Sequence, residues 1–437
     1  MQGGCLMLSN QRQNIEEITD QISQLEKQYS FYQSKNLKLN MTRGKPCEEQ
    51  LDLSNKLNSC LTENDYLSQD GTDCRNYGGL DGIIEARQLF ADLLGISAEN
   101  LIVSGNSSLN IMYDTVVRAM LFALPDSSAS WSAEGKIKFI CPAPGYDRHF
   151  FVTQSLGIEM ITVPMTSEGP DMDIVEKLAA EDPLIKGMWS VPVYSNPDGI
   201  IYSEATCKRL AAMKTAADNF RIFLDNAYFV HHLYPEKANS IPDMIALCSE
   251  AGNPDRVFEF ASTSKITFAG AGISCVASSK ANLNWIKRHM GAQTIGPDKL
   301  NQLRHVRFLK NAQNVNDLMK KHADILKPKF ELVHRLLEDK LSGVNSCRWS
   351  SPEGGYFISV YVKPGTASEV VKLANDCGVA LTPAGNTYPY GNDPDDSNIR
   401  LAPSYPPIDE LKMAIEVFSV CVQLAALRKQ LADLNVN

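Results

Sequence analysis

The chain has 437 residues, 44% hydrophobic and 21% charged, an ordinary globular composition long enough for one large core and a smaller second one. A formal net charge of −9 gives no electrostatic attraction to nucleic acid or to an anionic membrane, and no stretch approaches the roughly 18 uninterrupted apolar residues of a membrane span; a small-molecule partner is expected. Eleven cysteines, an odd number with no CxxC pair, argue against a disulfide framework and a cysteine zinc site, and no metal is expected. They favour a reducing compartment, and the opening MQGGCLMLSNQRQ has no basic flank followed by an apolar core, so no signal peptide is read and the cytoplasm is the expected location.

Along the chain, Ile15, Ile18, Ile22, Leu25, Tyr29 and Tyr32 recur at helical spacing with Glu, Gln and Lys between them. This predicts an N-terminal helix with one apolar face. Its polar face is not basic, so packing on its own chain or on a dimer partner is expected, not a membrane surface. The segment MTRGKP at 41–46 reads as a turn.

An alternating region follows. Short β-branched apolar runs at 101–103, 137–141, 159–163, 188–193, 222–225, 257–261 and 273–277 are mostly separated by stretches of helical periodicity such as 110–123 and 204–217. The pattern predicts an α/β fold with a doubly wound, mainly parallel sheet of seven strands. Residues 301–340 read as one long helix, broken near Pro328. A strand at 355–362, a helix at 368–377, a strand at 399–402 and an amphipathic helix at 407–434 complete an α+β appendage. The expected division is an N-terminal helix and small-domain segment at 1–60, a large domain at 61–330 and the rest of the small domain at 331–437.

In such a sheet ligands bind at the carboxyl ends of the strands, so the polar residues that follow each run form the candidate site. Val103 leads into Ser104-Gly105-Asn106-Ser107-Ser108 and a helix, a combination that cradles phosphate, although a serine helix cap explains it as well. Val193 leads into Tyr194-Ser195-Asn196-Pro197-Asp198-Gly199, a turn that needs no ligand. The run at 222–224 ends on Asp225, which alone would pass for a cap. The run at 257–261 ends in Ser262-Thr263-Ser264-Lys265, and a lone lysine is usually a surface charge. Paired with Asp225, Lys265 suits a cofactor whose pyridine nitrogen is kept protonated by a carboxylate while an amine forms a Schiff base.

Taken together, RNYGGLDG (75–82), SGNSSL (104–109), PAPGYDRH (142–149), SNPDG (195–199), LDNAY (224–228), STSK (262–265) and NIRLAPS (398–404) resemble the fold type I aminotransferases, in order over most of the chain. TRGKP and EEQLDLS within 42–54, with STSKITFAGAG at 262–272, resemble the aspartate aminotransferase subgroup known as type Ic. The resemblance implies a pyridoxal 5'-phosphate (PLP) transferase fold with Lys265 as the Schiff-base lysine, Asp225 on the pyridine nitrogen, and Asn196 and Tyr228 on the ring's phenolic oxygen. It implies Tyr146 stacked on the cofactor, and Asn106, Ser107, Ser108, Ser262 and Ser264 around its phosphate. Tyr77 would reach across from the other subunit of a homodimer. Arg400 would grip the substrate α-carboxylate through a bidentate fork. A dicarboxylic substrate needs a second cation, for which Arg43, Arg148, Arg304 and Arg307 are available and Arg43 is favoured, because the resemblance puts TRGKP at the entrance. One departure stands out: the family's phosphate-binding arginine, eight positions after the lysine, is Ile273 here.

The reaction implied is transfer of an amino group from an amino acid, aspartate in the subgroup, to a 2-oxo acid such as 2-oxoglutarate. Rival readings are a β-lyase or an aminocyclopropane-carboxylate-type synthase on the same scaffold, and a PLP-sensing regulatory domain, for which the stretch before Arg43 is too short and insufficiently basic. A nicotinamide-dependent dehydrogenase is opposed by Cys275 standing where Gly270-Ala271-Gly272 would need a third glycine.

Overall fold

Strands buried on both faces read as continuous apolar runs, and the runs above assemble into one sheet on that account. The computed structural model describes residues 2–344 and 347–436, with side-chain surroundings for 14–344 and 347–434. In chain order the sheet strands are β1 (Leu101–Val103), β2 (Lys138–Ala143), β3 (Glu159–Thr166), β4 (Gly169–Pro170), β5 (Ile185–Ser190), β6 (Arg221–Asp225), β7 (Val257–Ser262) and β8 (Ser274–Ala277). They lie in the order β1-β8-β7-β6-β5-β2-β3-β4. The central β7-β6-β5-β2-β3 block is parallel, while β8 runs antiparallel to both of its neighbours and β4 is antiparallel to β3.

Alternation along each strand divides the core in two. Ile140, Ile222, Leu224, Val257 and Ala261 face one apolar cluster, and Phe139, Phe223, Phe258 and Phe260 face the other. A third cluster gathers Leu25, Met41, Ile358, Val360, Leu401 and Phe418 around a smaller antiparallel sheet of Arg348–Trp349, Ile358–Tyr361 and Asn398–Leu401.

Three details differ from the sequence reading. The expected strand at 188–193 is Ile185–Ser190, because Lys186 and Gly187 interrupt the apolar run although both are buried in the sheet. Lys186 is met by Glu134 and Asn219, and Gly187 has no room for a side chain, since a Cβ there would stand 2.4 Å from the Phe139 ring. The eighth strand, Gly169–Pro170, is too short and too rich in turn residues to carry a strand signal. The expected single helix at 301–340 is two, Lys299–Leu309 and Ala312–Leu341. The break falls at Lys310, with φ of 63°, and Asn311, whose side chain accepts from the Asn314 N–H; Pro328 lies inside the second helix, which continues past it to Leu341.

The N-terminal helix, Gln2–Ser34, packs along the last helix, Ile408–Val436, with Ile18 and Leu25 buried. The chain then forms a two-residue parallel pairing, Leu39–Asn40 with Val379–Ala380, and the Met41 N–H donates to the Ala380 carbonyl at 2.9 Å. This pairing delivers Thr42, Arg43 and Gly44 to the neighbourhood of the Asn398–Leu401 strand. Among the described residues no helix is long and apolar enough to cross a membrane. The ten cysteines with described side chains are free, and Cys5 lies outside them.

Because the Asn311 cap holds the junction of the two helices, Asn311→Ala is expected to lower stability by about 1 kcal/mol. A downward shift of the urea midpoint with an unchanged slope checks this.

Candidate active site

The parallel strands β2, β5, β6 and β7 direct their carboxyl ends to one edge of the sheet, which is where a doubly wound fold leaves room for a ligand. A cavity of about 250 Å³ opens there, and Ser107, Ser108, Tyr146, Asn196, Asp225, Tyr228, Ser262, Ser264 and Lys265 all line it.

Asp225 ends β6, and its side chain is buried. His149 Nε2 lies 3.1 Å from Asp225 Oδ2. The imidazole is itself held, stacked on Trp189 with ring centres 4.4 Å apart and 7° between planes. Trp189 Nε1 donates to Thr153 Oγ1 at 2.7 Å, and that hydroxyl donates to the His149 carbonyl at 2.7 Å. The other carboxylate oxygen, Oδ1, is buried with no hydrogen-bond partner among the described residues. An unmet buried acceptor costs on the order of 1–3 kcal/mol, and more when charged. A protonated ring nitrogen arriving from the cavity relieves that cost, so the residues present fit a pyridinium cofactor.

Lys265 follows β7, and its carbonyl is fixed by His231 Nε2 at 3.3 Å and the Tyr356 hydroxyl at 3.4 Å. Its Nζ lies 4.7 Å from the centre of the Tyr228 ring. Burial lowers the proton affinity of this amine below the ordinary lysine value, and the Asp225 carboxylate partly restores it. Burial also pushes the Tyr228 and Tyr146 phenols up, which keeps them neutral hydrogen-bond donors.

On another part of the cavity wall, Ser107 stands at the N-cap position of the Ser108–Leu121 helix without a side-chain capping bond, and the helix's first N–H groups carry the positive end of its dipole. Ser262 Oγ donates to Ser264 Oγ at 3.1 Å, and Ser264 Oγ donates to the Asn106 carbonyl at 3.2 Å. Asn106 thus braces the serine loop through its backbone and does not itself line the cavity. Ile273 lies in the apolar core, and its N–H donates to Thr263 Oγ1. Among the described residues Lys265 is the only cation lining this cavity, so no arginine stands on its wall. Tyr77 lies elsewhere, 82% exposed, on a loop whose Asn76 and Gly78 carbonyls are held by Lys299 Nζ.

Arg400 projects from the Asn398–Leu401 strand. Its Nη1 donates to Asn196 Oδ1 at 3.2 Å and Asp147 Oδ1 at 3.3 Å, and its Nη2 to Thr382 Oγ1 at 3.4 Å. The guanidinium lies 4.7 Å from the centre of the Phe357 ring. Gly44 must lack a side chain, because a Cβ would stand 2.5 Å from that ring. Arg400, Arg43, Arg148 and Asp147 line a second cavity, of about 500 Å³. The consecutive pairs Arg43–Gly44 and Tyr146–Asp147 put one residue in each cavity. Arg304 and Arg307, on the Lys299–Leu309 helix, line neither; Arg304 donates to Asn301 Oδ1 and Arg307 to the Leu67 carbonyl.

The sequence reading did not assign His149, Asp147, Gly44 or Phe357. His149 was within reach of it, since it stands three residues after Tyr146 at the start of a helix, where such positions share a face. Phe357 carries no such signal.

A family model described as aspartate amino-transferase matches residues 14–433. An aspartate aminotransferase of Corynebacterium glutamicum is 50% identical over 402 residues, covering 92% of this chain and 93% of the relative. A putative aminotransferase of Mycolicibacterium smegmatis is also 50% identical, covering 93% and 96%. The crystal structure of an aspartate transaminase of Corynebacterium glutamicum superposes with a TM-score of 0.93 at 48% identity, covering 95% of this chain and 97% of that one.

If the Asp225 charge sustains the Lys265 proton, Asp225→Asn lowers the lysine's apparent pKa further. Amine labelling of the cofactor-free protein, followed by peptide mass spectrometry across pH, is expected to show Lys265 reacting from a lower pH in the variant. An unchanged or higher midpoint would contradict the electrostatic link.

Proposed function

The chain belongs to the aspartate aminotransferase family, and from that premise we propose that it moves an amino group from aspartate to a 2-oxo acid, 2-oxoglutarate being the expected acceptor, with PLP as cofactor. The observation that carries the reading is the convergence of an unpartnered Asp225 oxygen and the Lys265 amine in one cavity, with Arg400 reaching Asn196 in the cavity wall. Lys265 would hold the cofactor through Nζ, Asp225 its pyridine nitrogen, and Asn196 and Tyr228 its phenolic oxygen. Tyr146 would cover one ring face, and the hydroxyls of Ser107, Ser108, Ser262 and Ser264, braced by Asn106, would take the phosphate. When bound, the cofactor supplies an electron sink that stabilises negative charge at the substrate Cα.

The rest follows from the protein's own groups. Arg400 offers its unpartnered Nε and a terminal nitrogen as a fork for the α-carboxylate. That grip orients Cα toward Lys265. Burial favours the neutral amine, so Lys265 Nζ would be the group that accepts and holds the Cα proton. Arg43, on the wall of the adjoining cavity, is the proposed partner for a side-chain carboxylate, with Arg148 beside it.

The proposal includes a homodimer, supported by the outward-facing Tyr77 on its braced loop, and a cytoplasmic location, supported by the free cysteines. It also includes a small domain formed by 1–60 and 331–437 against a large domain at 61–330. The apolar cluster that joins Leu25 and Met41 to Phe418 supports the joining of the two chain ends, while the continuous Ala312–Leu341 helix carries the chain across residue 330.

With added PLP, the wild type is expected to develop a visible absorption band that aspartate bleaches with release of an oxo acid, and Lys265→Ala is expected to lack the band. A lysine-dependent band indifferent to aspartate would retain the cofactor and discard the substrate. Separately, Arg43→Leu is expected to raise KM for aspartate by about tenfold or more while changing alanine turnover little. Equal changes for both amino acids would remove Arg43 from the proposal.

A further inference from the structure

Arg400 already carries a carboxylate partner. Asp147 Oδ1 lies 3.3 Å from Nη1, and the contact engages one oxygen and one nitrogen, not the paired bonds of a full fork. The remaining hydrogen bonds of the guanidinium are to neutral oxygens of Asn196 and Thr382, and Nε has no hydrogen-bond partner among the described residues. The positive charge is thus matched by a single, loosely held aspartate.

The two partners differ in their access to water. The Arg400 side chain is 6% exposed and the Asp147 side chain 29%. Asp147 is also the first residue of the Asp147–Ser155 helix, where the helix dipole favours a negative charge whether or not Arg400 is bound to it. Asp147 can therefore release Arg400 at small cost, whereas Arg400 without any anion would be a buried, unpaired cation. Asp147 shares the 500 Å³ cavity with Arg43 and Arg148, so every carboxylate entering there meets its charge as well as theirs.

We propose that Asp147 is the resident counter-ion of Arg400, displaced by the incoming substrate carboxylate, and that it holds carboxylate affinity at a level from which products leave. It is a specificity-determining residue and takes no part in the proton transfers. The inference rests on the reading of Arg400 as the carboxylate grip.

The test is binding of maleate, a dicarboxylate with no amino or oxo group to react, to the PLP-loaded enzyme. Calorimetry would compare wild type, Asp147→Asn, Asp147→Ser and Arg400→Gln, with melting curves for each. Asp147→Asn and Asp147→Ser are both expected to bind maleate about tenfold more tightly than wild type, with a fall in KM that exceeds any change in kcat. Tightening is a result that damage to the fold does not produce, and the serine variant retains a helix-starting residue should the asparagine variant fold poorly. Unchanged or weaker binding in the folded variants, with binding lost in Arg400→Gln, overturns the proposal and makes Asp147 a brace for the guanidinium. Undiminished maleate binding in Arg400→Gln instead removes the reading of Arg400 beneath it.

Discussion

A carboxylate buried at the end of a central strand is the constraint around which this molecule is arranged. Asp225 is fixed by β6, which is paired on both sides by parallel neighbours. One oxygen faces His149 and the other has no partner within the described protein. Supporting that single contact takes a stack of His149 on Trp189 and a hydrogen-bond chain through Thr153. The unmet oxygen is an electrostatic cost that a cationic group entering the cavity would offset. The field of the same carboxylate reaches Lys265, where it opposes the effect of burial on the amine.

Around this fixed point the two cavities are built by different parts of the chain. The cofactor-sized cavity is assembled from loops that leave the parallel strands together, so its geometry is inherited from the sheet. The adjoining cavity needs Thr42 and Arg43 from near the start of the chain, Asp147 and Arg148 after β2, and Thr382 and Arg400 near its end. The parallel pairing of Leu39–Asn40 with Val379–Ala380 brings the first and last of these together. Arg400 connects the halves, since it touches Asn196 of the first cavity and Asp147 of the second. The geometry of the second cavity is thereby coupled to how the chain ends pack on the sheet.

Much of this was legible in the residues. Apolar runs of three to six residues followed by polar loops located nearly every sheet strand, because a strand buried on both faces has to be apolar and a ligand site at its end has to be polar. Where the rule failed, the cause was a buried group that looked exposed. Lys186 is neutralised by Glu134 inside the fold, and Gly187 is required by the Phe139 ring on a neighbouring strand. Pro328 misled for a related reason: helix breaking is a local tendency, and the surrounding packing of Leu326, Phe330 and Val333 outweighs it.

By itself, then, the sequence determined the class of fold, the order of its strands along the chain, and Lys265 and Asp225 as candidates for one site, all of which depend on local pattern and on residue type. Tertiary structure alone decided what depends on proximity between distant segments. It turned Ile273 into the core and put Ser107, Ser108, Ser262 and Ser264, not an arginine, on the cavity wall. It kept Arg304 and Arg307 away while placing Arg43 and Arg148 beside Arg400. It also set Asp147 against Arg400, across more than half of the chain. A charge's role is fixed by the dielectric around it and by the partner opposite, and neither is written at its own position.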